Sequence, residues 1–357
     1  MLHAVFLAGG VGKRLWPESS ERRPKQFLKL LGDQTLLETT AERIEPMIPR
    51  ERQLIVTGQS MVPLVYESFP GLDLNRIVAE PVGRNTASSI GLAAIRVLRD
   101  DPDATMVVLP ADQVIRQKQL FRETIRFAAK LVEEEPGRLI TLGIKPTFPA
   151  SGYGYIEQNE RITGPNDRFE AFSVKRFHEK PDRSQAEEFL ASGQFCWNAG
   201  IFVWKARTIL EQLRHHEPEI ADRLDTIASS VIRGDFPEIL EREFAAMKKI
   251  SIDYAVLERA ENILVLNAEF DWDDVGTWTA LDRIHAGKHD AAGNLVLNAQ
   301  LLATDARRNI VKSHDPNHVF ALVGVDDLVV IQTAEATLIA KKGDIERGEW
   351  RVGSGEW

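Results

Sequence analysis

The chain has 357 residues, 43% of them hydrophobic and 27% charged, with a formal net charge of −9. That balance suits a folded core and disfavours nucleic acid as the main partner, and no stretch approaches the roughly eighteen apolar residues of a membrane span. The single cysteine, Cys196, excludes an intramolecular disulfide, suits a reducing cytoplasmic setting, and sits in an apolar Phe195-Cys196-Trp197 context that points to burial.

The first apolar run, residues 2–8, is too short for a secretion signal and has no basic segment before it. It reads as a buried strand that breaks into Gly9-Gly10-Val11-Gly12-Lys13-Arg14-Leu15-Trp16-Pro17, followed by Arg22-Arg23-Pro24-Lys25-Gln26-Phe27. Glycines let backbone N–H groups approach phosphate oxygens, and nearby cations neutralise charge that N–H dipoles alone do not. The spacing is neither that of a P-loop nor a full G-x-G-x-x-G, because Leu15 stands three positions after Gly12. An acidic chain that takes an anionic substrate needs a locally positive site. Lys13, Arg14, Arg22, Arg23 and Lys25 supply one, although Arg22 and Arg23 read equally well as a solvated loop.

Helical texture follows at 36–44, a strand at 53–56, another at 76–79, a helix at 86–98, a strand at 106–109, a helix at 119–135 and a strand at 139–142. This alternation predicts a three-layer, Rossmann-like α/β sandwich around a mostly parallel sheet. Ligands in such sheets bind beyond the carboxyl ends of the strands, where both the glycine-rich turn and Leu109-Pro110-Ala111-Asp112 belong. From about Tyr153 the strands shorten. A helix is expected at 184–192 and a longer polar helical region at 206–248. After about His285, short strand-like runs at 294–301, 309–312, 318–323, 328–332 and 337–341 predict a small β-rich domain. The expected division is therefore 1–285 and 286–357. Residues 343–357, with four glycines and two tryptophans, read as a loose tail or a segment held by its tryptophans.

Several segments in one order carry a resemblance. Gly9 to Pro17 with Pro24-Lys25-Gln26-Phe27 is followed by Glu80-Pro81-Val82-Gly83-Arg84-Asn85-Thr86-Ala87, Leu109-Pro110-Ala111-Asp112 and Gly152-Tyr153-Gly154-Tyr155-Ile156. Phe177-His178-Glu179-Lys180-Pro181, Trp197-Asn198-Ala199-Gly200-Ile201-Phe202 and Asp274-Val275-Gly276-Thr277-Trp278 complete the series. The chain resembles the sugar-1-phosphate nucleotidylyltransferases, and within them the mannose-1-phosphate guanylyltransferase branch. The resemblance implies transfer from GTP to α-D-mannose 1-phosphate, giving GDP-mannose and diphosphate. It also implies a few coils of left-handed β-helix at the C-terminal end and a homodimer as the assembly. No clean hexapeptide repeat is visible in the sequence itself.

The chemistry agrees with the residue inventory. The nucleophile is a phosphate oxyanion, already mostly dianionic at neutral pH, so no general base is required. Positioning, charge neutralisation and a metal suffice. The resemblance assigns Arg14 and Lys25 to the triphosphate as catalytic cations, and Ala8, Gly9, Gly10, Gly12 and Lys13 to the nucleotide. Lys13 stands where the family more often has a small hydroxyl residue. Glu80, Gly83, Asn85 and Thr86 are the expected base-reading segment, although the same residues read nearly as well as a capped turn into a helix. Gly154, Glu179, Lys180 and Asn198 are assigned to the sugar phosphate. Asp112 and Asp274 are the expected ligands of Mg2+ or another divalent cation, which needs only one or two protein carboxylates; Asp273 reads as a neighbour and not a ligand. Trp197 and Phe202 read as core.

Three positions depart from the family pattern: Gln113 replaces a common histidine, Ser88 a proline, and Ser20 an arginine. They leave open another nucleotide or hexose phosphate with the same chemistry. A non-catalytic regulatory protein of the same fold is the other alternative, and retention of both carboxylates argues against it. The chain ends without the further domain that makes some relatives bifunctional, so no phosphomannose isomerase activity is expected.

Overall fold

The computed structural model describes residues 1–10, 12–164, 167–233 and 235–347. By contacts the chain divides into two compact units. The larger comprises Met1–Gly9, Leu37–Ala111 and Ile115–Asp271, and the smaller Gly10–Leu36, Asp112–Val114 and the chain from Trp272 onward.

The larger unit is organised by a nine-stranded sheet. Its strands are β1 (Leu2–Leu7), β2 (Gln53–Gly58), β3 (Ile77–Glu80), β4 (Thr105–Pro110), β5 (Leu139–Ile144), β6 (Tyr155–Arg161), β7 (Ala171–His178), β8 (Phe195–Lys205) and β9 (Ile263–Ala268). The order is β3-β2-β1-β4-β8-β5-β9-β7-β6. The expected β/α alternation is present, but the sheet is mixed and not mostly parallel. The run β3-β2-β1-β4 and the pair β5–β9 are parallel, whereas β8, β7 and β6 pair antiparallel with their neighbours. The reason lies in the connections: helical crossovers join the early strands, while β8, entered from the later short-strand region, runs back between β4 and β5.

Helices α1 (Leu36–Ile44), α2 (Val62–Ser68), α3 (Thr86–Asp100), α4 (Lys118–Glu134) and α5 (Arg183–Ser192) are followed by α6 (Ala206–His216), α7 (Pro218–Arg233) and α8 (Phe236–Ala245). The predicted single helical region at 206–248 is thus three helices. Pro218 opens α7 and Pro237 lies in the first turn of α8, where a missing N–H costs nothing but continuation of the preceding helix is blocked. One sheet face packs on α3, α6 and α7: Val5, Met106 and Val108 share a core with Ile90, Ala94, Ile209 and Leu224. Gly91 of α3 allows close packing there: a Cβ would meet the tips of Leu224 and Leu213, which would have to shift. Phe121, Ile125, Ala128 and Val132 of α4 form a second buried stripe at helical spacing, against β4, β5, β8 and β9. Trp197, Phe202 and Cys196 are buried, and loss of solvation pushes the Cys196 thiol up to about 12.

In the smaller unit, β10 (Leu295–Leu297), β11 (Gln300–Thr304), β12 (Ile310–Ser313), β13 (Val319–Val323), β14 (Leu328–Gln332) and β15 (Thr337–Lys341) follow the short helix α9 (Ala280–Ile284), and α10 (Lys342–Arg347) closes the described chain. The run expected at 294–301 is two strands, divided where Asn298 adopts φ +49°. Successive parallel rungs, Leu295↔Ile310↔Val329 and Gln300↔Val319, stack one coil on the next. A buried side-chain ladder fixes their register: Asn309 Nδ2 donates to Asn294 Oδ1 at 3.0 Å, and Leu328 N donates to Asn309 Oδ1 at 2.9 Å. Leu15, Leu28 and Leu36 join Trp278, Leu281, Ile310, Val329 and Ile331 in one core, each fully buried aliphatic side chain contributing about 1.5–3 kcal/mol. Trp278 Nε1 donates to Trp16 O at 2.9 Å, so the glycine-rich segment rests on the C-terminal coils.

Candidate active site

In the smaller unit the site is built on a short turn. Pro24 sets an extended backbone ahead of a 3-10 turn at Lys25–Phe27, which points Lys25 inward. Lys25 is nearly buried; its Nζ donates to Asp112 Oδ2 at 2.9 Å and to the main-chain oxygen of Asp274. Gly12 lies against it at φ +59°, and a Cβ there would stand 2.6 Å from Lys25 Cβ. Ser19 Oγ holds the Gly12 carbonyl at 2.6 Å. Gly10, at φ +110°, uses a conformation open to glycine. Val11 and the Lys13 side chain lie outside the described residues. Arg14 is exposed and makes no ion pair among the described residues.

Asp112 and Asp274 are drawn together by an antiparallel bridge, Val114 N to Asp273 O at 2.9 Å and Asp273 N to Val114 O at 3.0 Å. Asp273 is buried and bracketed by Arg283, with Nε 2.6 Å from its Oδ2. Asp274 is partly exposed, and Gly276 leaves room for it: a Cβ there would meet its Oδ2 at 2.9 Å. Two hard oxygen donors, one on a side chain 38% exposed, fit a cation that keeps most of its waters. Among the described residues no group of three or more metal-ligating side chains offers a closed cage.

In the larger unit the residues fall into two groups. Ala8 is buried and pinned to β2 through Val56 O and Thr57 Oγ1, at 2.8 and 2.9 Å, so Gly9 emerges from β1 beside Glu80. A Cβ on Gly9 would lie 4.0 Å from Glu80 Oε2. Burial pushes the Glu80 carboxyl up to about 7 against its hydrogen bond from Ser89. Asn85, at φ +69°, caps α3 by accepting from Thr86 N at 2.8 Å, while Thr86 Oγ1 accepts from Ile252 N at 2.8 Å. Gly83 is exposed with no atom near its would-be Cβ. Arg84 donates to Ala245 O and is tied to the scaffold.

The second group is tighter. Asn198 N donates to Gly154 O at 2.8 Å, and a Cβ on Gly154 would stand 2.6 Å from Glu179 Oε2 and 3.5 Å from Asn198 Cβ. Glu179 pairs with Lys180 at 2.5 Å; Lys180 itself is exposed at φ +50°, a costly conformation for a non-glycine residue. Asn198 Oδ1 accepts from Thr141 Oγ1 at 2.9 Å, and its Nδ2 donates to Asp253 Oδ1 at 2.8 Å. Desolvation, then the neighbouring Glu179 carboxylate, pushes Asp253 up to about 6. Sequence reasoning missed Asp253. Its signal was a lone carboxylate in Ile252-Asp253-Tyr254-Ala255-Val256-Leu257, which forms a π-helical turn at Asp253–Leu257 of the kind that recurs at functional sites.

Of the three departures from the family pattern, Gln113 is buried and accepts from Trp272 Nε1 at 3.0 Å, and Ser88 is buried in α3. Ser20 makes a turn with Arg23.

Comparison with known proteins places the chain in a lineage. The nucleotidyl transferase family model matches residues 3–291, and the model of the mannose-phosphate isomerase/GMP-like beta-helix domain matches residues 300–345. A mannose-1-phosphate guanylyltransferase of Escherichia coli K12 is 38% identical over 350 residues, covering 97% of this chain and 71% of that protein. A solved Thermus thermophilus structure titled mannose-1-phosphate geranyltransferase superposes with a TM-score of 0.83 at 33% identity, over 97% of this chain and 98% of that one. A Helicobacter pylori structure titled mannose-6-phosphate isomerase superposes with a TM-score of 0.60 at 27% identity, over 76% of this chain and 99% of that one. The chain belongs to the nucleotidyl transferase family, in the group of the mannose-1-phosphate guanylyltransferases.

Proposed function

We propose that this protein transfers the guanylyl group of GTP to α-D-mannose 1-phosphate, releasing diphosphate and forming GDP-mannose. The observation that carries the reading is identity of 35–38% with proteins of that name, over nearly the whole chain, joined to the Lys25–Asp112–Asp274 cluster. A phosphate oxygen of the sugar phosphate attacks the α-phosphorus in line; that P–O bond forms as the bond to the β-phosphate oxygen breaks, with no covalent enzyme intermediate. Arg14 and Lys25 take the negative charge that accumulates on the leaving diphosphate. Asp112 and Asp274 are the residues that would hold Mg2+, which supplies further neutralisation at the α-phosphate. Lys25 Nζ, held by the Asp274 carbonyl and Asp112, would direct its charge to the phosphates.

Backbone at Ala8, Gly9, Gly10 and Gly12, with Lys13, faces the nucleotide in this reading, and Glu80, Gly83, Asn85 and Thr86 read the base. Gly154, Glu179, Lys180 and Asn198 hold the sugar phosphate. The functional division is 1–285 for catalysis and 286–357 for a C-terminal domain; stacked parallel rungs support β-helical winding there, and the left hand is what the resemblance implies. Exposed Leu302, Val319, Val323 and Ile339 on those coils support a homodimer contact. A lone buried cysteine, with no helix among the described residues long and apolar enough to cross a membrane, supports a cytoplasmic enzyme.

The test is a diphosphate-release screen of four nucleoside triphosphates against mannose, glucose, galactose and fucose 1-phosphates, with and without Mg2+. GTP with mannose 1-phosphate is the expected best pair, and activity requires the divalent ion. Equal or better turnover with dTTP or UTP and glucose 1-phosphate would overturn the substrate assignment.

A further inference from the structure

We propose that a cavity in the smaller unit is a second anion site, which binds small phosphorylated metabolites independently of the nucleotide and sugar-phosphate residues. Its volume is about 450 Å3, the size of a small-molecule site, and none of Arg14, Lys25, Asp112 or Asp274 lines it. Its floor is an internal pair. Glu18, with a side chain only 5% exposed, accepts from Lys312 Nζ and lies 3.3 Å from His314 Nε2. That carboxylate is already spent on its neighbours. The rim is different: Arg23, Lys29 and Lys288 also line the cavity, and their charged ends form no ion pair or hydrogen bond among the described residues. Asp33 is the one other carboxylate of the lining.

A surplus of cations around one concavity is notable in a chain of net charge −9. Exposed Arg23, Lys29 and Lys288 on one concavity give it a positive potential that attracts an anion. Arginine and lysine donors suit phosphate oxygens by charge-assisted hydrogen bonds. Leu28, Leu31 and Leu297 add an apolar stretch of wall beside the polar Asn298, Ser313 and His314, so the cavity can seat a phosphate together with an organic group that has both apolar and hydroxylated surface. Two features keep the cavity formed without ligand. His285 Nε2 lies 3.3 Å from Leu30 O, and Asn298 Nδ2 donates to Ser313 O at 2.9 Å, bracing the opposed segments.

The test is calorimetric titration of inorganic phosphate, and separately of glucose 6-phosphate, into the full chain saturated with GDP-mannose, so that the nucleotide and sugar-phosphate residues are occupied. A preliminary GDP-mannose titration checks that saturation on its own. Saturable binding of both probes is expected, with glucose 6-phosphate at least as tight. It should weaken by about tenfold or more in Lys29→Glu/Lys288→Glu, while GDP-mannose affinity stays within about twofold. The milder pair Lys29→Gln/Lys288→Gln should give the same direction, and covers the case in which charge reversal disturbs folding. No saturable binding to the wild-type chain, or undiminished binding to the Gln pair, would overturn the site. Phosphate binding without glucose 6-phosphate binding would overturn the assignment of the apolar wall.

Discussion

The two units differ in how they hold their buried and half-buried carboxylates. In the smaller unit acids meet cations: Asp112 faces Lys25, Asp273 faces Arg283 and Glu18 faces Lys312. In the larger unit Glu179 pairs with Lys180, but two buried candidate acids lean on neutral partners, Glu80 on Ser89 and Asp253 on Asn198, and burial raises the pKa of both. The first environment handles full charges, as phosphate transfer demands. The second arranges donors and acceptors, as recognition of a base edge or sugar hydroxyls demands. A single protein can thus place charge neutralisation and hydrogen-bond reading on separately built supports.

Breaking the charged side should cost most. Asp112→Asn or Asp274→Asn should each lower kcat by on the order of a hundredfold or more, and the double variant should be little worse than the poorer single, because groups that act as a unit are non-additive. Asp273→Asn should instead lower the melting temperature, since it removes the buried carboxylate that Arg283 Nε holds, and spare more of the rate. Steady-state kinetics alongside calorimetric melts separate the two outcomes; near-normal turnover of folded Asp274→Asn would break the comparison.

Gly12→Ala should cost kcat by about tenfold or more, with little change in the KM for mannose 1-phosphate, because the new Cβ meets Lys25 and the backbone is left-handed there. Gly154→Ala should show the reverse split, since its Cβ meets Glu179. Lys25→Ala and Lys180→Ala should divide the same way at the level of side chains, the first chiefly in kcat and the second in KM by several-fold. An exchanged pattern would mean that the two lysines' roles are reversed.

The smallest effect is on stability. A carboxyl raised in the folded state contributes stability that is present below its unfolded value and lost as pH rises through the folded value. Asp253→Asn should therefore gain stability relative to wild type between about pH 4 and pH 6 and keep the difference above it, and Glu80→Gln should do so up to about pH 7. Chemical denaturation at pH 5 and pH 8 checks the sign; a wild-type advantage that grows with pH would show that burial is not the governing cause.

Local pattern made the early elements legible. Residues 36–44 form α1 as expected, and the strands at 53–56, 106–109 and 139–142 lie inside β2, β4 and β5. Strand direction was not legible, because period and propensity do not encode it; β8 runs antiparallel between β4 and β5 for reasons of chain path. The nearness of Lys25, Asp112 and Asp274 came from resemblance, since no local rule joins residues so far apart in sequence. Asp253 escaped because Ile252, Ala255, Val256 and Leu257 look like core, and they are, while Tyr254 is exposed. The Asn294–Asn309 ladder escaped because rungs offset by unequal coil lengths leave no fixed repeat to detect.

The hydrogen bond from Trp278 to Trp16 spans 262 residues of chain. During synthesis at about 5–20 residues per second, the glycine-rich segment leaves the ribosome roughly 13–50 s before the side chains that cover Leu15 and Leu28 exist. In that interval its apolar residues have only Leu30, Leu36 and Val114 of their core and lack Trp278, Leu281, Ile310, Val329 and Ile331, and Lys25 has neither Asp112 nor Asp274 beside it until their codons are read. The segment made first is therefore among the last to gain its full set of neighbours, so that a nascent chain can hold a largely folded sheet while Lys25 still lacks its carboxylate and carbonyl partners.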